Sequence, residues 1–221
     1  MGTAMSLLLR KFKPPLLGQN RTPKLTQLTS PPGVFRGFMP PAANLPFADA
    51  PTSLWRSLAR MTVQNNAGFV RIKSTDPTVP PDINIRQYES PQAGEIDLNA
   101  MIDAVAWVRR LFMTLPAPFG PVTPTEPPCS VGFTPEGYCI DPEQDRKFIF
   151  EQTFGHHPVG TCKMGKREDG MAVLDSNFRV FGVEGLRVVD ASVFPVAPGG
   201  FPVMPTFMVG QKGSEAILAG V

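Results

Sequence analysis

The sequence predicts an α+β fold, with an antiparallel sheet that carries helices on one face. Two segments with period-two alternation of apolar and polar residues predict paired strands, at 68–73 and 83–88. Apolar residues at helical spacing across Asp97–Phe112 predict a first helix, and the Asp141-Pro142 pair is typical of the start of a second one. A closing helix is predicted over Pro205–Leu218.

The two predicted strands each have one apolar and one polar face. Val70 and Ile72 alternate with basic residues in the first strand, and Ile83 and Ile85 alternate with polar residues in the second. Such alternation indicates a strand with one buried face and one face in water. The pair Pro80-Pro81 predicts a turn between the two strands.

The predicted helices have recognisable starts. Asp97 is expected to cap the first helix, because an aspartate side chain accepts hydrogen bonds from the first free N–H groups. For the second helix we expect a cap at Asp141, proline at the first helical position, and an end near Gly155. The buried side of the second helix is expected to consist of Phe148, Ile149 and Phe150.

The two ends of the chain show weaker patterns. Residues 1–60 are rich in proline and weakly periodic, so they are predicted to form extended loops. Short strand pieces are predicted at Val180–Gly185 and Leu186–Val189, and the segment Val193–Pro205 is predicted to be a loop. Pro205 then stands in the first turn of the closing helix, where its missing N–H is tolerated.

Composition argues against two classes of partner. The 221 residues have a formal net charge of +2, and no basic stripe with interleaved aromatic residues marks a nucleic-acid surface. No run of about eighteen apolar residues is present, so no membrane span is predicted. The start of the chain lacks a secretory signal pattern, which makes the cytoplasm the default expectation.

The three cysteines leave alternatives open. Cys129 and Cys139 flank a loop rich in glycine and proline and could pair in a secreted protein, whereas two free thiols fit the missing signal sequence better. A metal site built from Cys162 with His156 and His157 is conceivable, but no CxxC pair supplies the further ligands that zinc requires. We therefore expect free thiols and no metal.

An ordered set of motifs fills the last third of the chain. A His157-Pro-Val-Gly-Thr-Cys162 loop precedes the apolar run Leu186–Val189, which leads into Asp190-Ala-Ser192 and later into Pro205-Thr206. In this order the motifs resemble the C-terminal signature of the glucose–methanol–choline (GMC) family of flavin-dependent alcohol oxidoreductases. The resemblance covers about residues 150–218.

The resemblance implies that His157 is the general base of an alcohol oxidation. A base that removes the hydroxyl proton prepares the alcohol to lose a hydride from the same carbon, and a flavin accepts that hydride. The resemblance further implies FAD as cofactor, a small-molecule alcohol as substrate, and a substrate pocket lined by His156 and Phe201. The residues that it places against FAD are Asp190, Ala191, Pro202 and Val203.

Two of these features also have an ordinary structural interpretation. Asp190 can cap a turn through Ser192, which is a common use of aspartate. The closing helix, which begins near Thr206, points free N–H groups and a positive dipole end toward a reduced flavin, an effect of about 0.3–1 kcal/mol. Alternatively it is an ordinary amphipathic helix with core residues Phe207, Met208, Ile217 and Leu218.

Phe201 departs from the family pattern. The resemblance places it where most members have His or Asn, which hydrogen-bonds the substrate oxygen as the alkoxide forms. A phenyl ring cannot donate that bond, and loss of one such donor costs on the order of 3 kcal/mol. The chain therefore uses another second group, works with His157 alone, or has lost activity. If it is active, an apolar or aromatic alcohol is favoured over a sugar.

The Gly-x-Gly-x-x-Gly turn that seats the pyrophosphate of FAD is absent from the 221 residues. We therefore expect a missing N-terminal FAD-binding region as partner, or alternatively a catalytically inactive truncated fragment or interaction module that retains the fold. The expected division is a Pro-rich lead-in at 1–60, part of an antiparallel substrate-binding domain at 61–165, and the closing strand and helix of an incomplete FAD-binding domain at 166–221.

Overall fold

The computed structural model describes residues 62–117, 120–124, 128–155, 157–199 and 201–221, together with three strands nearer the N-terminus. Within those three strands, the side chains of Leu58 and Arg60 are described. The strands are β1 (Gly2–Ala4), β2 (Leu25–Thr29), β3 (Arg56–Arg60), β4 (Phe69–Arg71), β5 (Asp82–Asn84) and β6 (His157–Val159), and the helices are α1 (Ala93–Met113), α2 (Pro142–Gln152) and α3 (Val203–Leu218). The prediction of loops over 1–60 is wrong at β1, β2 and β3, which pair as strands, and the rest of that segment lies outside the described residues. No helix in these ranges has the length and apolar character to cross a bilayer.

Among the described strands, pairing is antiparallel and occurs in three separate pairs, β1 with β6, β2 with β3, and β4 with β5. The β4–β5 pair confirms a pair of strands in this region, with Val70 opposite Ile83, but both are shorter than predicted and residues 85–88 belong to no strand. The expected burial of one face is wrong, because Val70 is 40% and Ile83 is 58% exposed. Alternation of apolar and polar residues gives a strand one apolar face, but that face is buried only when another element packs against it, and no described element does so here.

The first core joins α1, α2 and β3. Helix α1 begins four residues before the predicted Asp97, so Asp97 lies inside the helix and the predicted cap is wrong. The lead-in contributes to this core, because Leu58 of β3 is 2% exposed and packs in the cluster. Buried members of the cluster are Leu58, Leu98, Met101, Ala104, Val105, Val108, Phe112 and Ile149.

Helix α2 confirms the predicted start. The Asp141 side chain accepts a hydrogen bond from the backbone N–H of Glu143, and Pro142 occupies the first helical position. The helix ends at Gln152, three residues earlier than predicted, and the backbone continues as extended chain. Ile149 is buried as expected, but Phe150 is half exposed, so its predicted place in the core is wrong.

The second core forms between α3 and the chain that precedes it. Its buried members are Leu174, Phe178, Val193 and Ala216. The two predicted strand pieces are present only as single bridges, Leu174 to Val180 and Arg179 to Arg187. Turns at Gly182 and Gly185, both with positive φ, interrupt the chain there and keep the pairing short.

Helix α3 contacts the second core through its small residues. Gly213 and Ala216 are its buried positions, and Gly213 lies directly against the Val189 side chain. Pro205 stands in the first turn as predicted. The alternative core residues were wrong, because Phe207, Met208, Ile217 and Leu218 are all exposed, Leu218 by 88%. The exposed apolar side chains on the first two turns of α3 are therefore not covered by either core.

Candidate functional site

His157 is the first residue of β6. Its ring is half-buried, and the β6 backbone pairs with β1, with Ala4 opposite His157. Val159, two residues later, is 2% exposed and anchors the strand. Gly160 then turns the chain with φ +87°, and a Cβ there would press on the carbonyl oxygen of Phe194. The backbone that follows the imidazole is therefore held by the buried Val159 and by the turn at Gly160.

The segment after β6 is tied to the 3₁₀ turn Ala191–Val193. The N–H of Cys162 donates to the carbonyl of Ser192 at 3.0 Å, and the N–H of Met164 donates to the carbonyl of Val193 at 2.9 Å. Two motifs that are distant in sequence are thereby held side by side. The fold thus brings the histidine loop and the Asp-Ala-Ser turn together.

The Phe201 ring lies against the His157 ring. The ring centroids are 5.7 Å apart and the planes are nearly perpendicular at 88°, which is the edge-to-face arrangement favoured by aromatic rings. Phe201 remains 48% exposed, so one side of its ring is open. His156 and Gly200, next to these two residues, lie outside the described residues.

Asp190 has a structural role that the coordinates define. Its Oδ1 accepts a hydrogen bond of 2.8 Å from the N–H of Ser192 and caps the 3₁₀ turn. The residue is exposed, as is expected for a capping carboxylate at the rim of the turn. Ala191 is the first residue of the turn and is half-buried. The turn interpretation of Asp190 is therefore confirmed.

Pro202 and Val203 form the start of α3. The Pro202 carbonyl accepts two hydrogen bonds from Thr206, one from its N–H at 2.9 Å and one from its hydroxyl at 2.7 Å. The helix thus begins three residues earlier than Thr206. Val203 and Met204 expose their side chains on this first turn. An open helix start with an apolar surface is therefore present beside Phe201 in sequence.

Tyr88 positions the chain that leads to His157, a role that the sequence did not indicate. The Thr153 hydroxyl donates to the Ile149 carbonyl at 2.6 Å, so Tyr88 donates its own hydroxyl proton to Thr153 at 2.7 Å. Burial raises the pKa of Tyr88 to about 12. A long-range hydroxyl pair of this kind has no local sequence signal.

The prediction of two free thiols at Cys129 and Cys139 is wrong, because the two residues form a disulfide. Their sulfurs and a carboxylate oxygen of Asp145 lie within 4.8 Å of one another, which is close enough for the three residues to share a metal ion. A disulfide sulfur is not a thiolate ligand, so this group is not a metal site while the bond is intact. Cys162 is a free, half-buried thiol.

The fold is a mixed α and β unit that sets one histidine among a capped turn, an aromatic ring and a helix start. Residues 64–210, well over half of the chain, match the family model described as GMC oxidoreductase. The chain therefore belongs to the GMC oxidoreductase family and corresponds to its C-terminal portion. The cofactor of this family is FAD.

Curated relatives agree with the family match. The chain is 56% identical over 62 residues to an oxygen-dependent choline dehydrogenase of Brucella anthropi, a match that covers 28% of this chain and 11% of the relative. It is 32% identical over 159 residues to the oxygen-dependent choline dehydrogenase of Rhizobium etli, which covers 71% of this chain and 26% of the relative. The chain thus spans about a quarter or less of the length of these relatives.

A solved structure of a fungal aryl-alcohol oxidase shares the fold. The TM-score is 0.56 at 25% sequence identity, and the match covers 75% of this chain and 25% of that one. In both kinds of comparison the chain therefore matches only one part of a longer protein.

The described residues fit one end of FAD. The open start of α3 and the exposed apolar residues Val203 and Met204 provide a surface for a flat ring system and for its negative charge when reduced. The glycine turn that would hold the pyrophosphate does not occur in the sequence. The fit of the described residues is consequently to the ring end of the cofactor.

Proposed function

We propose that this chain is the C-terminal part of an FAD-dependent oxidoreductase that oxidises an alcohol CH–OH group, with His157 as general base. The observation that carries the proposal is the position of His157. Its half-buried ring sits at the start of β6, next to Phe201, and the chain after β6 is hydrogen-bonded to the Asp-Ala-Ser turn. Family membership and the alcohol-oxidising relatives support the same chemistry.

His157 removes the hydroxyl proton of the alcohol. An unprotonated imidazole nitrogen accepts this proton while the carbon–hydrogen bond of the same carbon breaks, so the alcohol becomes a carbonyl compound. FAD, when bound, accepts the two electrons and the hydrogen as a hydride. The β6 strand keeps the imidazole in place through the buried Val159, which preserves the angle at which the base meets its substrate.

Asp190, Ala191, Pro202 and Val203 are proposed to border the flavin ring. Asp190 already uses Oδ1 to cap the 3₁₀ turn, which fixes the direction of its carboxylate. The α3 start offers N–H groups to negative charge on the reduced ring, an effect of about 0.3–1 kcal/mol. These residues therefore orient the ring and stabilise its reduced form, while His157 accepts the hydroxyl proton of the alcohol.

Phe201 and His156 are proposed to line the substrate pocket. The exposed side of the Phe201 ring is apolar and lacks a hydrogen-bond donor, so the alkoxide oxygen gains nothing from this side chain. An aromatic or apolar alcohol has ring or alkyl surface that a phenyl group can cover. The fungal enzyme with the same fold is named an aryl-alcohol oxidase, and an aryl alcohol is an aromatic alcohol, which supports this assignment.

We further propose that an N-terminal FAD-binding region completes the fold. In this proposal residues 61–165 belong to a substrate-binding domain and residues 166–221 supply the last turn and helix of the FAD-binding domain. The exposed apolar surface of α3, formed by Val203, Met204, Phe207, Met208 and Leu218, supports the proposal, since such surfaces usually mark an interface.

The test joins this chain to the N-terminal FAD-binding portion of a choline dehydrogenase relative and measures flavin bleaching by alcohols without oxygen. His157→Ala should slow flavin reduction by about a hundredfold or more. Asp169→Asn, an exposed change on the loop after the motif, is the matched control and should leave the rate within twofold. Equal rates for His157→Ala and the unaltered protein would exclude His157 as base.

A second candidate is an inert module that retains the fold. Phe201 in place of a hydrogen-bonding residue and the missing glycine turn favour it. In that case the purified chain is colourless, unfolds cooperatively, and yields no alcohol-dependent bleaching even when joined to the FAD-binding portion. Bleaching by any alcohol eliminates this candidate.

A further inference from the structure

A buried ion pair joins α1 to α2. The Arg109 guanidinium and the Asp145 carboxylate are 2.7 Å apart, and their side chains are 2% and 1% exposed. Burial lowers the pKa of Arg109, while the charge of Asp145 acts against this change. A buried pair of this kind is costly to separate, because either charge left alone in the interior is poorly solvated.

The loop between the two helices closes over this pair. We define the cysteine loop as residues 129–139. The N–H of Cys139 donates to Asp145 Oδ2 at 3.0 Å, and Arg109 donates to the carbonyl of Gly137 at 3.3 Å. The Phe133 ring lies 5.1 Å from the guanidinium carbon of Arg109. The cysteine loop therefore supplies partners to both charges and separates them from water.

Close contact of the cysteine loop with α1 depends on Gly137. Its φ is +97°, and a Cβ at this position would overlap the carbonyl oxygen of Ala106 on α1. Further along the loop, the Tyr138 hydroxyl donates to Asp103 of α1 at 3.0 Å. At the other side, Ser130 and Gln144 of α2 exchange two hydrogen bonds, of 2.8 and 2.6 Å. The loop thus bridges both helices.

The two ends of the cysteine loop are joined by the Cys129–Cys139 disulfide, with the Cα atoms 5.4 Å apart. Cys139 is 3% exposed, whereas Cys129 is half-buried and more open to a reagent. We propose that this disulfide is a redox-sensitive clamp on the α1–α2 pair. Its reduction frees the cysteine loop, admits water to Arg109 and Asp145, and loosens α2.

The chemistry requires a dithiol reductant. A thiolate of the dithiol attacks the Cys129 sulfur, the S–S bond breaks, and the Cys139 sulfur leaves and takes up a proton. The second thiol of the reductant then attacks the mixed disulfide and releases the Cys129 thiol. Two electrons pass from the dithiol to the protein disulfide, which leaves two cysteine thiols and one oxidised dithiol.

The clamp is connected to the proposed site through α2. That helix ends at Gln152, and Thr153, which follows it, is held by the Tyr88 hydroxyl just before the chain reaches β6. Loosening of α2 therefore propagates toward His157. The clamp itself does not depend on the proposed function, since it can be measured on the chain without any cofactor.

The experiment counts thiols and follows thermal unfolding of the full chain with and without a dithiol. The oxidised protein should show one reactive thiol after denaturation, Cys162, and three after reduction. Reduction should lower the Tm by roughly 5–10 °C. Hydrogen exchange should rise in the cysteine loop and in α2 while residues 174–193 of the second core stay protected.

Two variants separate this proposal from a general effect of the reductant. In Cys129→Ser/Cys139→Ser the dithiol should no longer change the Tm or the exchange rates, whereas Cys162→Ser should keep the full response. Three reactive thiols in the untreated protein, an unchanged Tm after reduction, or uniform loss of protection across both cores would overturn the clamp. If the double variant does not fold, the reversible reduction and reoxidation of the natural chain decides alone.

Discussion

Asp97, on the buried side of α1, holds Arg60 of β3 in an ion pair of 3.0 Å that is almost inaccessible to water. The other carboxylate oxygen of Asp97 accepts backbone N–H bonds from Gln64 and Asn65, at 2.7 and 2.8 Å. Asp97 therefore neutralises the guanidinium and fixes the turn that follows β3. The Asp97 side chain thus links β3, the turn at residues 64–65 and α1.

Asp97→Ala should destabilise the chain strongly. The change leaves Arg60 as a buried charge without its partner and removes the acceptor of two backbone N–H groups, so the free energy of unfolding should fall by about 3–5 kcal/mol. Chemical denaturation measures the difference. Glu95→Gln on the same helix is the control, because its ion pair with Arg146 is exposed and should contribute less than about 1 kcal/mol. Equal losses in the two variants would contradict the role of Asp97.

Tyr88 should make the fold sensitive to strongly alkaline pH. Its pKa of about 12 in the folded chain exceeds the ordinary value of 10, so the folded state binds the phenolic proton more tightly than the unfolded state. The stabilisation is therefore complete below pH 10 and is lost as the pH rises through about 12. Phenolate absorbance in Tyr138→Phe, which leaves Tyr88 as the single tyrosine, reports its titration directly.

The matched measurement is stability between pH 10 and 12. Tyr88→Phe should lose less unfolding free energy over this interval than the natural chain, although at neutral pH it is weaker by about 1 kcal/mol because the bond to Thr153 is gone. A phenolate midpoint near 10 in the folded Tyr138→Phe protein would show that burial does not hold the proton on Tyr88.

Gly213 and Gly210 of α3 should respond in opposite directions to alanine. A Cβ at Gly213 would overlap the Val189 side chain, so Gly213→Ala should lower the free energy of unfolding by about 1–3 kcal/mol. A Cβ at Gly210 meets no heavy atom within 4 Å, so Gly210→Ala should raise stability by up to about 1 kcal/mol through helix propensity. In the Gly213→Ala/Val189→Ala double variant, the smaller side chain at position 189 should recover part of the stability that Gly213→Ala alone loses. Thermal unfolding of the natural chain, the two glycine variants and the double variant tests this order.

The exposed side of α3 should matter for assembly and not for folding of the chain. Phe207 and Met208 are 70% and 69% exposed, so Phe207→Ser and Met208→Ser should change the free energy of unfolding by no more than about 0.5 kcal/mol. The same variants should weaken association with the N-terminal FAD-binding portion, measured by co-purification and by retained flavin. Ser214→Ala, also exposed on α3, serves as the control. Unimpaired association of both variants would contradict an interface on this surface.

Several elements followed from local sequence alone. The start of α2 at Asp141 and Pro142 was predictable, because a capping carboxylate and a fixed proline φ act within one turn of the backbone. The β4–β5 pair followed from alternation, and the early position of Pro205 in α3 from the same helix rules. The motif order also indicated the family, which the family match confirms.

Other features depended on partners distant in the chain. Asp97 has the residue type of a helix cap, yet it lies inside α1 because Arg60 and the turn after β3 meet it there. The cysteine loop, which the Cys129–Cys139 disulfide closes, is held against α1 by the bond from Arg109 to the Gly137 carbonyl. The contact of Phe201 with His157 likewise joins two residues far apart in the chain, and no spacing in the sequence encodes it.

The sequence by itself determined where α2 begins and which family the chain belongs to, since both depend on residues close together along the chain. The tertiary structure decided which apolar faces are covered, and left Val70, Ile83 and Phe207 exposed. It also decided which charges are paired and which rings touch. The physical reason is that a hydrogen-bonded turn is closed by its own neighbours, whereas burial requires a second surface that arrives from elsewhere in the fold.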